Sequence, residues 1–240
     1  MNGLILAAGM GNRLNEISET KPKILLEVSG RTILDRMLSA ISVSDITDVV
    51  IVVGHCSELV MEIISNCKNL GFSITCINNR DYAKTNNIYS VHIASEYLKN
   101  KEFVLFNGDL LFQKQILTDL TKKTQEITLV VDTTKELGCE EMKIKLARTG
   151  QVIEITKEMN PETADGEYIG MMKFKSKGSN TFFNAVKETI ENYGKDVFYE
   201  SALQHLIRQN FEIYSSKTNG QDWIEIDTKQ DLSNAERMCF

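Results

Sequence analysis

Gly3-Leu4-Ile5-Leu6-Ala7-Ala8-Gly9-Met10-Gly11-Asn12-Arg13, followed after a spacer by Lys21-Pro22-Lys23, is the stretch from which the rest of the chain is read. Leu4 to Leu6 form a short apolar, branched run of the length that suits a buried strand. The run empties into small residues, and the loop beyond it carries two glycines with no bulky neighbour. Successive backbone N–H groups in such a loop can point into one concavity and hold phosphate oxygens. Arg13 adds a planar, permanently charged fork, and Lys23 a compact ammonium beyond a Pro-fixed turn. Two better-known phosphate loops are excluded by spacing. A dinucleotide fingerprint needs a third Gly where this chain has Leu14, and no G-x-x-x-x-G-K-[ST] string occurs anywhere.

Downstream, the pattern alternates strand and helix. Ile24 to Val28 is a short apolar segment, Gly30 a turn, and Arg31 to Ile41 a helix with Ile33, Leu34, Met37, Leu38 and Ile41 on one face. Asp48 to Val53, Phe72 to Ile77, Val104 to Phe106 and Ile127 to Asp132 read as strands, and Leu59 to Leu70 as a helix between the first two. Helices between strands imply right-handed crossovers and a largely parallel sheet, with the ligand outside the carboxyl ends of the strands. Gly9, His55, Asn78 and Asn107 all fall at such ends. The expected fold is therefore α/β: a single domain over 1–240 with a mixed, mostly parallel central sheet and helices on both faces.

Composition fits this class. The 240 residues are 25% charged and 42% hydrophobic, enough to bury a full core. A net charge of −6 argues against a nucleic-acid surface. Five cysteines, odd in number and without C-x-x-C spacing, suggest neither a disulfide framework nor a zinc site. No signal-peptide pattern opens the chain and no run of 18 apolar residues occurs, so a cytoplasmic protein without a membrane span is expected.

Acidic residues mark the chemistry. Asn107-Gly108-Asp109 sets a carboxylate just past a buried strand, with Gly108 letting the chain turn. Near the end, Trp223-Ile224-Glu225-Ile226-Asp227-Thr228 reads as a strand with Trp223, Glu225 and Asp227 on one face, before a helix containing Asp231. Two carboxylates from separate strand ends, Asp109 and Asp227, beside a phosphate-holding loop would make a Mg²⁺ site, since hard cations take oxygen ligands.

The string L-A-A-G-x-G-x-R, then K-P-K, together with E-I-D-T-x-x-D, resembles the nucleotidyltransferase superfamily of nucleoside-diphosphate-sugar pyrophosphorylase type. That family has a Rossmann-like, glycosyltransferase-A-like fold, and the resemblance runs from Met1 to about Met238. Carried over by position, it implies that Leu6, Ala7, Ala8, Gly9, Gly11 and Asn12 wrap the triphosphate. Arg13 and Lys23 touch its phosphates, and Asp109 and Asp227 hold Mg²⁺. Asn86-Asn87-Ile88-Tyr89-Ser90 resembles the cytidylyltransferases acting on choline phosphate. Asn79, Thr85 and Asn86 are the candidates for contact with the nucleotide, and either Asn86 or Asn87 caps the following helix. Arg80, Lys84 and His55 read equally well as ordinary surface residues.

Residues 1–132 would then form the nucleotide-binding core, 133–215 the acceptor-binding part, and 216–240 the metal-binding strand and closing helix. Within 133–215, Met142–Leu146 and Val152–Ile155 read as a hairpin and Met172–Phe174 as a strand; the resemblance implies that this region builds the acceptor pocket, and Asp165 and Gly166 read equally well as a simple turn. Thr181–Tyr193 reads as an amphipathic helix. Glu167, Tyr168, Tyr199, Glu200 and Trp223 are aromatic and acidic groups suited to surround a small cationic head, although Tyr168 and Tyr199 also suit a core. The shortness of the chain favours the compact cytidylyltransferase branch. The expectation is Mg²⁺-dependent transfer of a cytidylyl group from CTP to a phosphocholine-like acceptor, for a cell-surface glycan or a lipid-like head group. The alternatives are a hexose-1-phosphate nucleotidylyltransferase using UTP or dTTP, and a silent nucleotide-sensing module. Family members often dimerise, so a homodimer is an open expectation.

Overall fold

A computed structural model describes residues 1–11, 14, 20–67, 70–238 and 240. The strands are β1 (Asn2–Ala7), β2 (Glu27–Val28), β3 (Arg31–Thr32), β4 (Asp48–Val53), β5 (Ser73–Asn78), β6 (Phe103–Asn107) and β7 (Leu110–Phe112). They continue as β8 (Ile127–Asp132), β9 (Lys143–Leu146), β10 (Val152–Thr156), β11 (Gly166–Phe174), β12 (Tyr214–Lys217) and β13 (Trp223–Glu225). The helices are α1 (Ile33–Ile41), α2 (Ser57–Asn66), α3 (Asn87–Leu98), α4 (Lys114–Thr121), α5 (Ser176–Tyr193), α6 (Glu200–Arg208) and α7 (Lys229–Ala235).

The main sheet runs β10-β9-β11-β6-β1-β4-β5, with β8 on the other edge of β11 and β12 beside β8. β6, β1, β4 and β5 are parallel, as are β8 and β12, while β11 lies antiparallel to its neighbours. The sheet is thus mixed and mostly parallel in its nucleus, as expected.

Period-two alternation sends Ile5, Ile51 and Phe106 into one core with α1 and α4. Leu4, Val52 and Leu105 enter the other core, with α3, α5 and α6. Helices therefore cover both faces. In α3, Ile88, Val91, Ala94 and Leu98 are all fully buried.

Several expected boundaries move, each for a local reason. α1 starts at Ile33, because Thr32 caps it in a reciprocal box with Asp35 while Arg31–Thr32 pair with Glu27–Val28. α2 starts at Ser57 and ends at Asn66, entered through Cys56 in the left-handed region at φ 47°. α5 begins at Ser176, five residues before the expected Thr181. β11 begins at Gly166, so the strand expected at Met172–Phe174 is the last third of a longer one. Asp165, just before it, accepts from the Leu146 N–H at 2.8 Å, fastening the end of β9. The strand at Trp223 stops at Glu225, antiparallel to β7, so Asp227 lies beyond it and shares no strand face with Trp223 and Glu225.

Candidate active site

The carboxyl ends of β1, β5 and β6 open into a cavity of about 180 Å³. Leu6, Ala7, Ala8, Gly9, Gly11, Asn79, Thr85 and Asn86 line it together with Lys23 and Asp109. Among the expected nucleotide-contacting residues, Asn12 and Arg13 lie outside the described residues. Leu14, at the position that excludes a dinucleotide fingerprint, is fully buried.

Asn79 is buried, and its amide donates to Ser90 Oγ at 3.1 Å and to Thr85 Oγ1 at 3.4 Å. Its Oδ1 accepts from the Asp81 N–H at 3.0 Å, so Asn79 shapes the loop as well as facing the cavity. Asn86 is the cap of α3, and the neighbouring Asn87 Oδ1 accepts from the Tyr199 N–H at 2.9 Å. Arg80 and Lys84 are exposed, and His55 is half-buried with its ring 6.0 Å from that of Tyr82.

A second cavity of about 830 Å³ adjoins the first and shares Lys23, Asn87, Asn107 and Asp109 with it. At the junction the Lys23 ammonium donates to Asp109 Oδ2 at 3.0 Å and to Asp227 Oδ1. Burial would lower the Lys23 pKa, but the charges of Asp109 and Asp227 and hydrogen bonds to both push it up to about 12. Carboxylates from two distant parts of the chain are thereby held on one cation, itself 204 residues from Asp227.

Gly108 lies in the turn between β6 and β7, as expected, and a close approach also requires it. A side-chain carbon at this position would overlap the Leu6 carbonyl oxygen and lie 3.1 Å from Ala7 Cα. Its absence lets the Asn107–Asp109 segment press against the end of β1. On the other side, the Ile226 N–H donates to the Asp109 carbonyl at 3.0 Å. Asp231 accepts from the N–H groups of Asp227 (3.1 Å) and Thr228 (2.7 Å), and this capping box of α7 fixes the Asp227 backbone.

The donor chemistry at the junction fits Mg²⁺. Asp109 and Asp227 offer hard carboxylate oxygens, and Glu225 lies buried behind them. Its carboxyl is raised to about 8, by burial first and then by the Asp109 charge, against the hydrogen bond from Asn107. Among the described residues no group of three or more His, Cys, Asp or Glu is placed to hold a metal ion.

The expected acceptor residues separate into two sets. Glu167, Tyr168, Glu200 and Trp223 line the second cavity. Tyr199 is fully buried and is not in its wall. It belongs to a buried relay in which its hydroxyl donates to Asn107 Oδ1 at 3.0 Å and meets the Tyr168 hydroxyl at 2.9 Å. Asn107 Nδ2 donates in turn to Glu225 Oε1 at 3.0 Å. Burial, then the Glu200 charge, raises both tyrosine hydroxyls far above their ordinary value. Gly170 makes room for the relay: at φ 79°, a side chain there would come within 2.5 Å of Asn107 and 2.9 Å of Glu225.

The sequence reading gave Asn107 and Glu225 a place but no role, and missed Lys135 and Lys157. Asn107 and Glu225 had a signal, being next to Gly108-Asp109 and two residues before Asp227. The two lysines had none, since each lies among polar residues with no periodicity.

A family model described as nucleotidyl transferase matches residues 2–238. CTP:phosphoglutamine cytidylyltransferase of Campylobacter jejuni is 25% identical over 256 residues, spanning 97% of this chain and 98% of that protein. Choline-phosphate cytidylyltransferase of Streptococcus pneumoniae is 24% identical over 245 residues, spanning 99% of this chain and 98% of that one. The solved structure of CTP:phosphocholine cytidylyltransferase from Streptococcus pneumoniae has the same fold. It superposes with a TM-score of 0.79 at 20% identity, covering 98% of this chain and 97% of that chain.

Proposed function

The chain belongs to the nucleotidyl transferase family, and from that premise we propose that it transfers a cytidylyl group from CTP to a small phosphorylated acceptor, releasing pyrophosphate. The observation that carries this reading is the Lys23 ammonium bridging Asp109 and Asp227 where the two cavities meet. The small cavity would take the nucleotide and the large one the acceptor. The choice of CTP is supported by the activities named for the two curated relatives.

A phosphate monoester has a second pKa of about 6, so the acceptor is already largely a dianion at neutral pH and needs no protein base. One of its oxygens forms a bond to the α-phosphorus of CTP. The bond from that phosphorus to the α–β bridging oxygen breaks, and its electron pair leaves with pyrophosphate. The protein's part is alignment and charge neutralisation. Lys23 and the N–H groups of the Ala7–Gly11 loop would hold the phosphates, with Arg13 assigned the same task. Asp109 and Asp227 would hold Mg²⁺, which when bound supplies Lewis-acid neutralisation of phosphate charge.

The test is a pyrophosphate-release screen of five nucleotides (CTP, UTP, ATP, GTP and dTTP) against phosphoethanolamine, phosphocholine, an aminoalkylphosphonate and glucose-1-phosphate, with and without Mg²⁺. Release with CTP, Mg²⁺ and a small non-sugar acceptor is expected. Release with UTP or dTTP and the sugar phosphate alone would replace the reading with a hexose-1-phosphate one, and silence with every pair would favour a nucleotide-sensing module.

A further inference from the structure

The wall of the larger cavity carries aromatic rings and carboxylates, the surroundings that a quaternary ammonium head takes. Two of the rings are already covered from within the chain. The Lys135 ammonium lies 5.2 Å from the centre of the Trp223 ring, held there by Glu167 at 2.8 Å and Glu141 at 3.6 Å. The Lys157 ammonium lies 4.8 Å from the centre of the Phe198 ring. Tyr168 is buried, with its hydroxyl engaged by Tyr199.

The carboxylates divide just as sharply. Asp132 accepts from the Trp223 indole N–H at 2.6 Å and from the Thr134 hydroxyl at 2.7 Å. Glu167 accepts from Lys135, and Glu225 from Asn107. Glu200 is satisfied in part only. It lines the cavity and is 5% exposed; the Tyr199 and Asn87 side chains hydrogen-bond to its carboxyl and the Lys157 charge acts on it, but its Oε2 has no hydrogen-bond partner among the described residues.

A buried carboxyl oxygen left unpaired is costly, and a hydrogen-bond donor would relieve that cost. A trimethylammonium group has no N–H to give, whereas a primary ammonium or a carboxamide has. Resting on the reading of this cavity as the acceptor's, we infer that the acceptor carries an N–H-bearing group at the end away from its phosphate, and that Glu200 selects that group over a quaternary ammonium. Phosphoglutamine and choline phosphate, the acceptors named for the two relatives, differ in this same respect.

The test is calorimetric titration of the whole chain with phosphoethanolamine and its mono-, di- and trimethyl derivatives, the last being phosphocholine. Mg²⁺ and the α,β-methylene analogue of CTP are present, so no turnover occurs. Phosphoethanolamine is expected to bind about tenfold or more tightly than phosphocholine, with the largest drop at the third methyl, which removes the last N–H. In Glu200→Gln that ratio is expected to fall to about twofold. Equal or tighter binding of phosphocholine by the wild-type chain overturns the inference, as does binding of none of the four or an undiminished ratio in the variant. The wild-type series decides the matter even if the variant does not fold. Repeating it without the analogue separates this outcome from failure of the CTP reading, which appears as absent heat for the analogue itself.

Discussion

At the scale of single residues, the site depends on charges placed where burial makes them count. Lys23 is one ammonium shared by two carboxylates, and its raised pKa keeps it charged throughout the working range. Lys23→Ala removes the donor proposed to hold phosphate and leaves Asp109 and Asp227 without their shared cation. Pyrophosphate release by this variant should fall about 10²-fold or more, and turnover near the wild-type rate would take Lys23 out of the mechanism. Glu200 gives a second prediction. Burial, opposed by nearby hydrogen bonds, raises its carboxyl from 4.5 to about 7. The folded state thus holds this proton more tightly than the unfolded chain does. The stability from that proton is full below pH 4.5 and is lost as pH rises through about 7. Glu200→Gln should therefore gain stability relative to wild type from acid to mildly alkaline pH, by an amount of order 3 kcal/mol. Thermal melts across that range check it, and a difference that does not move with pH would contradict it.

At the scale of elements, α7 does more than close the chain. Asp231 receives three donors from Asp227 and Thr228, so the helix cap and the seat of a proposed metal ligand are one structure. Asp231→Ala should cost about 1 kcal/mol in urea denaturation and should also raise the Mg²⁺ concentration needed for half-maximal turnover. An unchanged Mg²⁺ midpoint would confine Asp231 to capping. This coupling also explains what was legible beforehand. β4 and β8 were readable to the residue, because Asp48–Val53 and Ile127–Asp132 are apolar, largely β-branched runs with clear ends. The first half of β11 was not, because Ala164-Asp165-Gly166 imitates a turn and Gly170 interrupts the strand pattern where it yields space to Asn107. The face-sharing expected of Asp227 failed because a cap, which follows no strand period, takes over after Glu225.

At the scale of the whole molecule, topology brings the cavity walls together from opposite ends of the chain. Parallel pairing of β6 with β1 sets Asn107 beside Leu6, and antiparallel pairing of β13 with β7 delivers Glu225 and then Asp227 to the same place. That the Ala7–Gly11 loop and both acidic strings meet at one place was readable because each has its own local spacing. The lysines over Trp223 and Phe198 were not, because only the folded sheet carries 133–157 across to those rings. If the small cavity takes CTP, nucleotide at one hundred times its Kd should add about 2.7 kcal/mol and raise Tm by about 5–11 °C for a chain of this length. A melt unmoved by CTP with Mg²⁺ would count against that assignment. Trp223, finally, is the chain's only tryptophan. It stands in the cavity wall with its indole N–H on a carboxylate and an ammonium over its ring. The indole emission of this protein therefore originates at one known spot, and it should shift whenever an added molecule disturbs Lys135. The fold carries its own fluorescent probe, so occupancy of the larger cavity can be followed on the unlabelled chain.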